Sequence, residues 1–166
     1  MDTEQRKLLD AYIAAHYIEG ESQEIDYSIS GGTKGAGKTF SEKDSTTLDD
    51  LMDQVGESFH DMLFCRISMS GMTEVEVYKR ANIDRKLFSK IRSNPAYHPR
   101  KQTVIALAIA LQLNIEDTAD LLARAEYALS PGSKGDLIVK YFIEHGVYDI
   151  MTINAALEKY GQPIIG

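Results

Sequence analysis

Residues 71–122 read GMTEVEVYKRANIDRKLFSKIRSNPAYHPRKQTVIALAIALQLNIEDTADLL, and the punctuation of this stretch decides the fold. Thr73 followed three positions later by Glu76 is a capping box, so a short helix starts there with Val77 and Ala81 facing inward. Asn82 ends that helix, because Asn tolerates the left-handed conformation that a tight turn requires. Ile83 plugs the corner, and Asp84 caps a second helix from Arg85 to about Arg92 whose inward residues are Phe88 and Ile91. Two short helices about a tight turn make a helix-turn-helix. Pro99 then precedes TVIALAIALQLN, and Asn114-Ile115-Glu116-Asp117 caps a further helix.

Outward from this stretch the chain continues to read as helices. The pattern Thr103–Leu113 is apolar nearly all round, including Ala106 and Ile109, so its outer face needs a cover. Two C-terminal helical patterns can supply it, about Lys134–His145 stopped by Gly146 and Thr152–Tyr160 stopped by Gly161, with Leu137, Ile138, Tyr141 and Phe142 available for the contact. On the N-terminal side, Leu8, Leu9, Tyr12, Ile13 and Tyr17 form the stripe of an amphipathic helix from about Thr3 to Glu19, with Gly20 as its stop. Residues 21–45 turn to Gly, Ser, Thr, Lys and Glu and read as a linker. An acidic helical pattern, TTLDDLMDQVGESF, opens at Thr46 or Thr47 and leads into SFHDMLFCRISMSG. The expected architecture is all-α: an N-terminal helix (1–20), a flexible linker (21–45) and a helical domain with a C-terminal extension (46–166). Residues 1–57 are expected to be removable without unfolding the rest.

A chain of 166 residues buries one good core or two very small ones, which excludes a large multidomain enzyme. Hydrophobic residues make up 43% and charged residues 26%, and no apolar run reaches the roughly 18 to 20 residues needed to span a bilayer. The polar start MDTEQRKLLDAYIAAHYIEG is unlike a signal peptide, so a cytoplasmic location is the default expectation. The single cysteine, Cys65, lies in an apolar stretch and reads as a small buried hydrophobe. The net charge of -7 conceals a division. Residues 1–57 carry five basic against thirteen acidic side chains, whereas Lys79 to Lys101 carry eight basic residues against Asp84 alone. One concentrated basic segment in an acidic chain calls for a polyanionic partner or an internal acidic one.

Residues 71–122 resemble the lambda-repressor-like helix-turn-helix domain, a five-helix bundle whose third helix enters the major groove. The matching features are a first helix ending near Met69-Ser70-Gly71, the Thr73 start, the Asn82-Ile83-Asp84 turn, the Phe88 and Ile91 anchors, Pro99, and the Asn114 cap. The resemblance implies DNA contacts from Arg85, Lys86, Ser89 and Lys90, with Arg92, Ser93 and Asn94 near the phosphates. Arg100 and Lys101 complete the basic set. Three positions depart from the family pattern. Glu74 stands where a Gln often meets the DNA backbone, Tyr78 replaces a small residue between the two helices, and Leu87 occupies a place where a polar reading residue is common. With the C-terminal helices and LLDAYIAAHYIEG included, nearly the whole chain looks like a bacterial module of little-described function that often follows an ADP-ribose-binding macro domain. No macro domain is present here, so its ligand is not carried over.

Other chemistry finds little support in the sequence. Gly32–Thr39, GTKGAGKT, matches the phosphate-loop pattern letter for letter. It lacks a buried strand before it, a packed helix after it and an acidic residue to manage magnesium, so it reads as linker. His16, His60, His98 and His145 have no metal-ligand spacing with one another or with Cys65. Asp49, Asp53 and Glu57 recur on one helical face, the pattern of a solvated face and not of a catalytic pair. Tyr97 and His98 lie in the loop between Pro95 and Pro99, where an aromatic either packs on a sugar or roofs the core. The expected function is non-catalytic binding of duplex DNA without a cofactor, in a transcriptional or defence-associated regulator. The alternative is a helical protein-interaction module that has lost DNA binding, and a homodimer or a protein partner fits either.

Overall fold

The computed structural model of the chain describes residues 3–18 and 56–166. The expected linker at 21–45, the stretch GTKGAGKT and the acidic pattern opening at Thr46 lie outside the described residues. The described residues are all-α, with eight helices and no strand. They are α1 (Thr3–His16), α2 (Phe59–Ser70), α3 (Glu74–Arg80), α4 (Arg85–Ser93), α5 (Lys101–Ala110), α6 (Ile115–Arg124), α7 (Lys134–Glu144) and α8 (Ile150–Lys159).

Local chemistry sets most of these boundaries. The Thr73 hydroxyl accepts from the Glu76 amide at 3.3 Å, while the Glu76 carboxylate accepts from the Thr73 amide at 2.8 Å. The Thr73 amide and then the Thr73 hydroxyl, both donating to the Glu76 carboxylate, hold this exposed carboxyl below the usual carboxylate range. Asn82 sits at φ 52° and breaks α3 from α4, and the Asp84 side chain accepts from the Lys86 amide at 2.6 Å to start α4. The Asn114 side chain caps α6 in the same way, accepting from the Asp117 amide at 2.8 Å. Gly146 and Gly161 lie just past α7 and α8 at φ 67° and 63°. Gln112 and Glu126 also take positive φ, 55° and 60°, and provide breaks where the sequence offers no glycine.

Helix α5 is the axis of the fold. Every residue from Thr103 to Ala110 is buried, and α5 packs against α3, α6 and α8. Ala106 and Ile109, at 0% and 1% exposure, have the cover their all-apolar helix calls for. Leu137, Ile138, Tyr141 and Phe142 of α7 are buried in the same unit, as are Ile153 and Leu157 of α8. The segment after α8 also folds back. The Asn154 side chain exchanges two hydrogen bonds with the Ile165 backbone, each 2.9 Å, and Ile165 is buried. Gly166 then lies against the turn between α3 and α4, so close that a Cβ there would stand 2.7 Å from the Ala81 carbonyl oxygen.

Three expectations are corrected. The N-terminal helix is not an appendage, because α1 packs on α7 and buries Leu9 and Ile13 in the same compact unit as residues 57–166. The Tyr12 ring meets Tyr141 edge-on at 5.2 Å, and its hydroxyl donates to Glu144 at 2.7 Å; burial and that carboxylate push the Tyr12 pKa upward. Tyr160 reaches Asp10 likewise, its pKa pushed up to about 12 by burial and then by the carboxylate. The helix also stops at His16, short of Gly20, because the Ile18 amide donates to the Pro131 carbonyl at 3.3 Å and the Tyr17 ring lies under the Lys134 ammonium at 4.8 Å. Cys65, expected inside, is exposed. The buried stripe of α2 is Phe59, Met62, Leu63 and Ile67, and Cys65 falls on the opposite side of that helix.

Candidate nucleic-acid interface

Helix α4 is amphipathic in the strict sense, with Phe88 and Ile91 buried and the polar residues outward. Phe88 anchors it, meeting Phe64 of α2 at 6.1 Å and Tyr78 of α3 at 5.7 Å between ring centroids. The exposed residues form two adjacent stripes at the spacing that stacks side chains on one helical face. Arg85, Ser89 and Arg92 face α3 and line a groove of about 350 Å³ with Glu74, Val75 and Tyr78. Lys86, Lys90 and Ser93 form the second stripe and are exposed as well.

The cations of this face are held differently. Among the described residues, Arg85, Lys86 and Arg100 make no ion pair and are exposed. The Lys90 ammonium stands over the Tyr97 ring, 4.3 Å from its centroid, an attraction that leaves its outer side open. Tyr97 is half-buried and rests against the core, so the loop aromatic serves as a seat for Lys90. Arg92 donates to the Glu74 carboxylate at 2.9 Å, and the His60 Nε2 donates to the Arg92 carbonyl at 3.1 Å, tying the end of α4 to α2. Asn94 turns inward on its own loop, its side-chain oxygen accepting from the Ala96 amide at 3.1 Å. Arg100 lines a separate cleft of about 770 Å³ with Asp84, Leu87, Tyr97 and the C-terminal Pro163–Gly166 segment. There Leu87 is half-buried against the core instead of facing fully outward.

Lys101, expected in the same set, is placed elsewhere. Its ammonium donates to the buried Asp136 carboxylate at 2.5 Å, and the same carboxylate accepts from the Ser130 amide at 2.8 Å. This joins the start of α5 to the α6–α7 connection and withdraws Lys101 from the basic face. A charge pair buried to this degree is costly to break from one side, because the remaining ion is left without a partner. Asp136→Ala is expected to lower unfolding free energy by about 3–5 kcal/mol in a denaturant titration. A loss below about 1 kcal/mol would mean that the Lys101 ammonium leaves for solvent at little cost.

Sequence reading did not find the Glu74–Arg92 pair, the Lys90–Tyr97 contact or the Lys101–Asp136 pair. The partners are separated along the chain, and only a crossing of helices or a loop return brings them together. Among the described residues no three His, Cys, Asp or Glu side chains group as metal ligands, and no helix is long and apolar enough to cross a membrane. No family model, curated protein or solved structure matches the chain. The residues and their geometry therefore carry the functional reading.

Proposed function

We propose that the chain is a non-catalytic duplex-DNA-binding protein, a transcriptional or defence-associated regulator, in which α3, the Ala81–Asp84 turn and α4 act as a helix-turn-helix within a lambda-repressor-like set of helices, α2–α6. The observation that carries the reading is the outer face of α4, where Arg85 and Lys86 begin the helix without an ion pair among the described residues and Lys90 follows one turn on. Phosphate contact is the main role assigned to these cations. Ser89, Arg92, Ser93, Asn94 and Arg100 lie around them, and Lys101 is removed from the set. Base readout is limited, because Leu87 packs against the core and Glu74 adds a carboxylate to the same surface.

Each phosphate neutralised contributes about -0.9 to the slope of log affinity against log salt. Replacing Arg85, Lys86 and Lys90 together by Ala is expected to reduce the magnitude of that slope by two to three units, roughly one per contact, and to weaken different duplex sequences nearly alike. Fluorescence anisotropy with random-sequence duplexes at several salt concentrations measures both quantities. A triple variant that binds as the wild type does at every salt concentration would remove DNA from this face. The protein-interaction reading, favoured by the groove that Tyr78 lines and by the Arg92–Glu74 pair across it, would then replace it.

A further inference from the structure

We infer that Glu74 is a brake on the basic face, holding Arg92 on the protein and off the phosphate backbone; the inference rests on the DNA-binding reading above. Glu74 opens α3 and Arg92 lies in the last turn of α4, so their side chains meet across the groove between the two helices. Arg92 Nη1 donates to Glu74 Oε2 at 2.9 Å. The base of the arginine is fixed by the bond from His60 Nε2 to its carbonyl, and the floor beneath the pair is filled by Tyr78 against Phe88. Both partners are more than a third exposed, at 60% and 38% of their side-chain surface, so the pair adds little to stability. Its consequence lies in charge. It occupies one cation of the face and sets a carboxylate among the rest, and phosphate contact by Arg92 requires breaking it.

Among the described residues no other carboxylate pairs with Arg92. Glu76 is engaged by the Thr73 amide and hydroxyl, Asp84 by the Lys86 amide, and Asp61 by Ser58. Glu74→Gln therefore removes the negative charge that holds Arg92 and leaves only a neutral amide oxygen as acceptor, which loosens Arg92 from the protein.

The experiment measures binding of a random-sequence duplex from about 50 to 200 mM salt by wild type, Glu74→Gln, Arg92→Gln and the double variant, with melting temperatures to verify folding. Glu74→Gln is expected to bind about three- to tenfold tighter at the middle of the range, with a slope steeper by about 0.9, the increment of one added phosphate contact. In the Arg92→Gln background the same change should leave the slope where it was. Loss of the carboxylate charge alone would raise affinity without requiring Arg92, so the slope is the deciding readout. A wild type that binds and a Glu74→Gln variant with the same slope overturn the inference and leave the DNA-binding reading standing, as does a slope that steepens without Arg92. If only the single Glu74→Gln variant binds, the brake is complete and the inference holds. If none of the four binds duplex DNA, both readings fall.

Discussion

A chain ending after Ser130 is expected to show no cooperative melting transition and to expose apolar surface to a dye such as ANS. The cut removes α7 and α8, and with them Leu137, Ile138, Phe142, Ile153 and Leu157, all buried. At about 1.5–3 kcal/mol per buried side chain of this size, these five alone represent roughly 7–15 kcal/mol, comparable with the whole stability of an ordinary domain. The shortened chain also strips α8 from the all-apolar α5 and leaves Lys101 without Asp136. Near-ultraviolet circular dichroism would register the loss of packing while far-ultraviolet dichroism retained helix. A truncated protein melting at the wild-type temperature would mean that α7 and α8 form an independent unit and that α5 tolerates an open face.

Removal of residues 1–57 is expected to lower the melting temperature by roughly 10–20 °C, the equivalent of about 3–6 kcal/mol for the burial of Leu9 and Ile13. Leu9 is fully buried and Ile13 is 8% exposed, and both belong to the main core. A single substitution separates this contribution from the rest of the deleted segment. Leu9→Ala should cost about 2–5 kcal/mol, whereas Leu8→Ala, next to it in the chain but 56% exposed, should stay within about 0.5 kcal/mol of wild type. Differential scanning calorimetry of the three proteins is sufficient. Equal melting temperatures for wild type and Leu9→Ala would mean that the α1–α7 contact contributes nothing to the folded state.

The parts of this fold that were legible in the sequence are those encoded over a few residues. Thr73, Glu76 and Asp84 act on amides within one turn of themselves and Asn82 acts through its own positive φ, so spacing is enough to place α3 and α4. Ala106 and Ile109 are a different kind of signal, since a helix with no wet face announces that a partner exists without naming it. The docking of α1 was hidden because linker-like composition follows it, and composition says nothing about where a helix on its far side will settle. The apolar run around Cys65 masks its helical phase, and the phase set by Phe59, Met62, Leu63 and Ile67 puts it outside. In the candidate interface, the outward residues of α4 followed directly from the inward Phe88 and Ile91. Their electrostatic state did not, because Arg92 and Lys101 find carboxylates on other segments, Glu74 on α3 and Asp136 on α7.

The docking of α1 on α7 also bears on how the chain acquires its structure. Tyr12 and Glu144 hydrogen-bond across 132 positions of sequence. At ribosomal rates of about 5–20 residues per second, the stretch between them takes on the order of ten seconds to emerge. For that interval Leu9 and Ile13 have no α7 to cover them, and a short amphipathic helix alone is marginal in water. Nascent α1 therefore waits as an open apolar stripe, available to chaperones, until α7 leaves the ribosome. Closure of so distant a contact late in synthesis makes the final docking step slow relative to the local formation of α3 and α4.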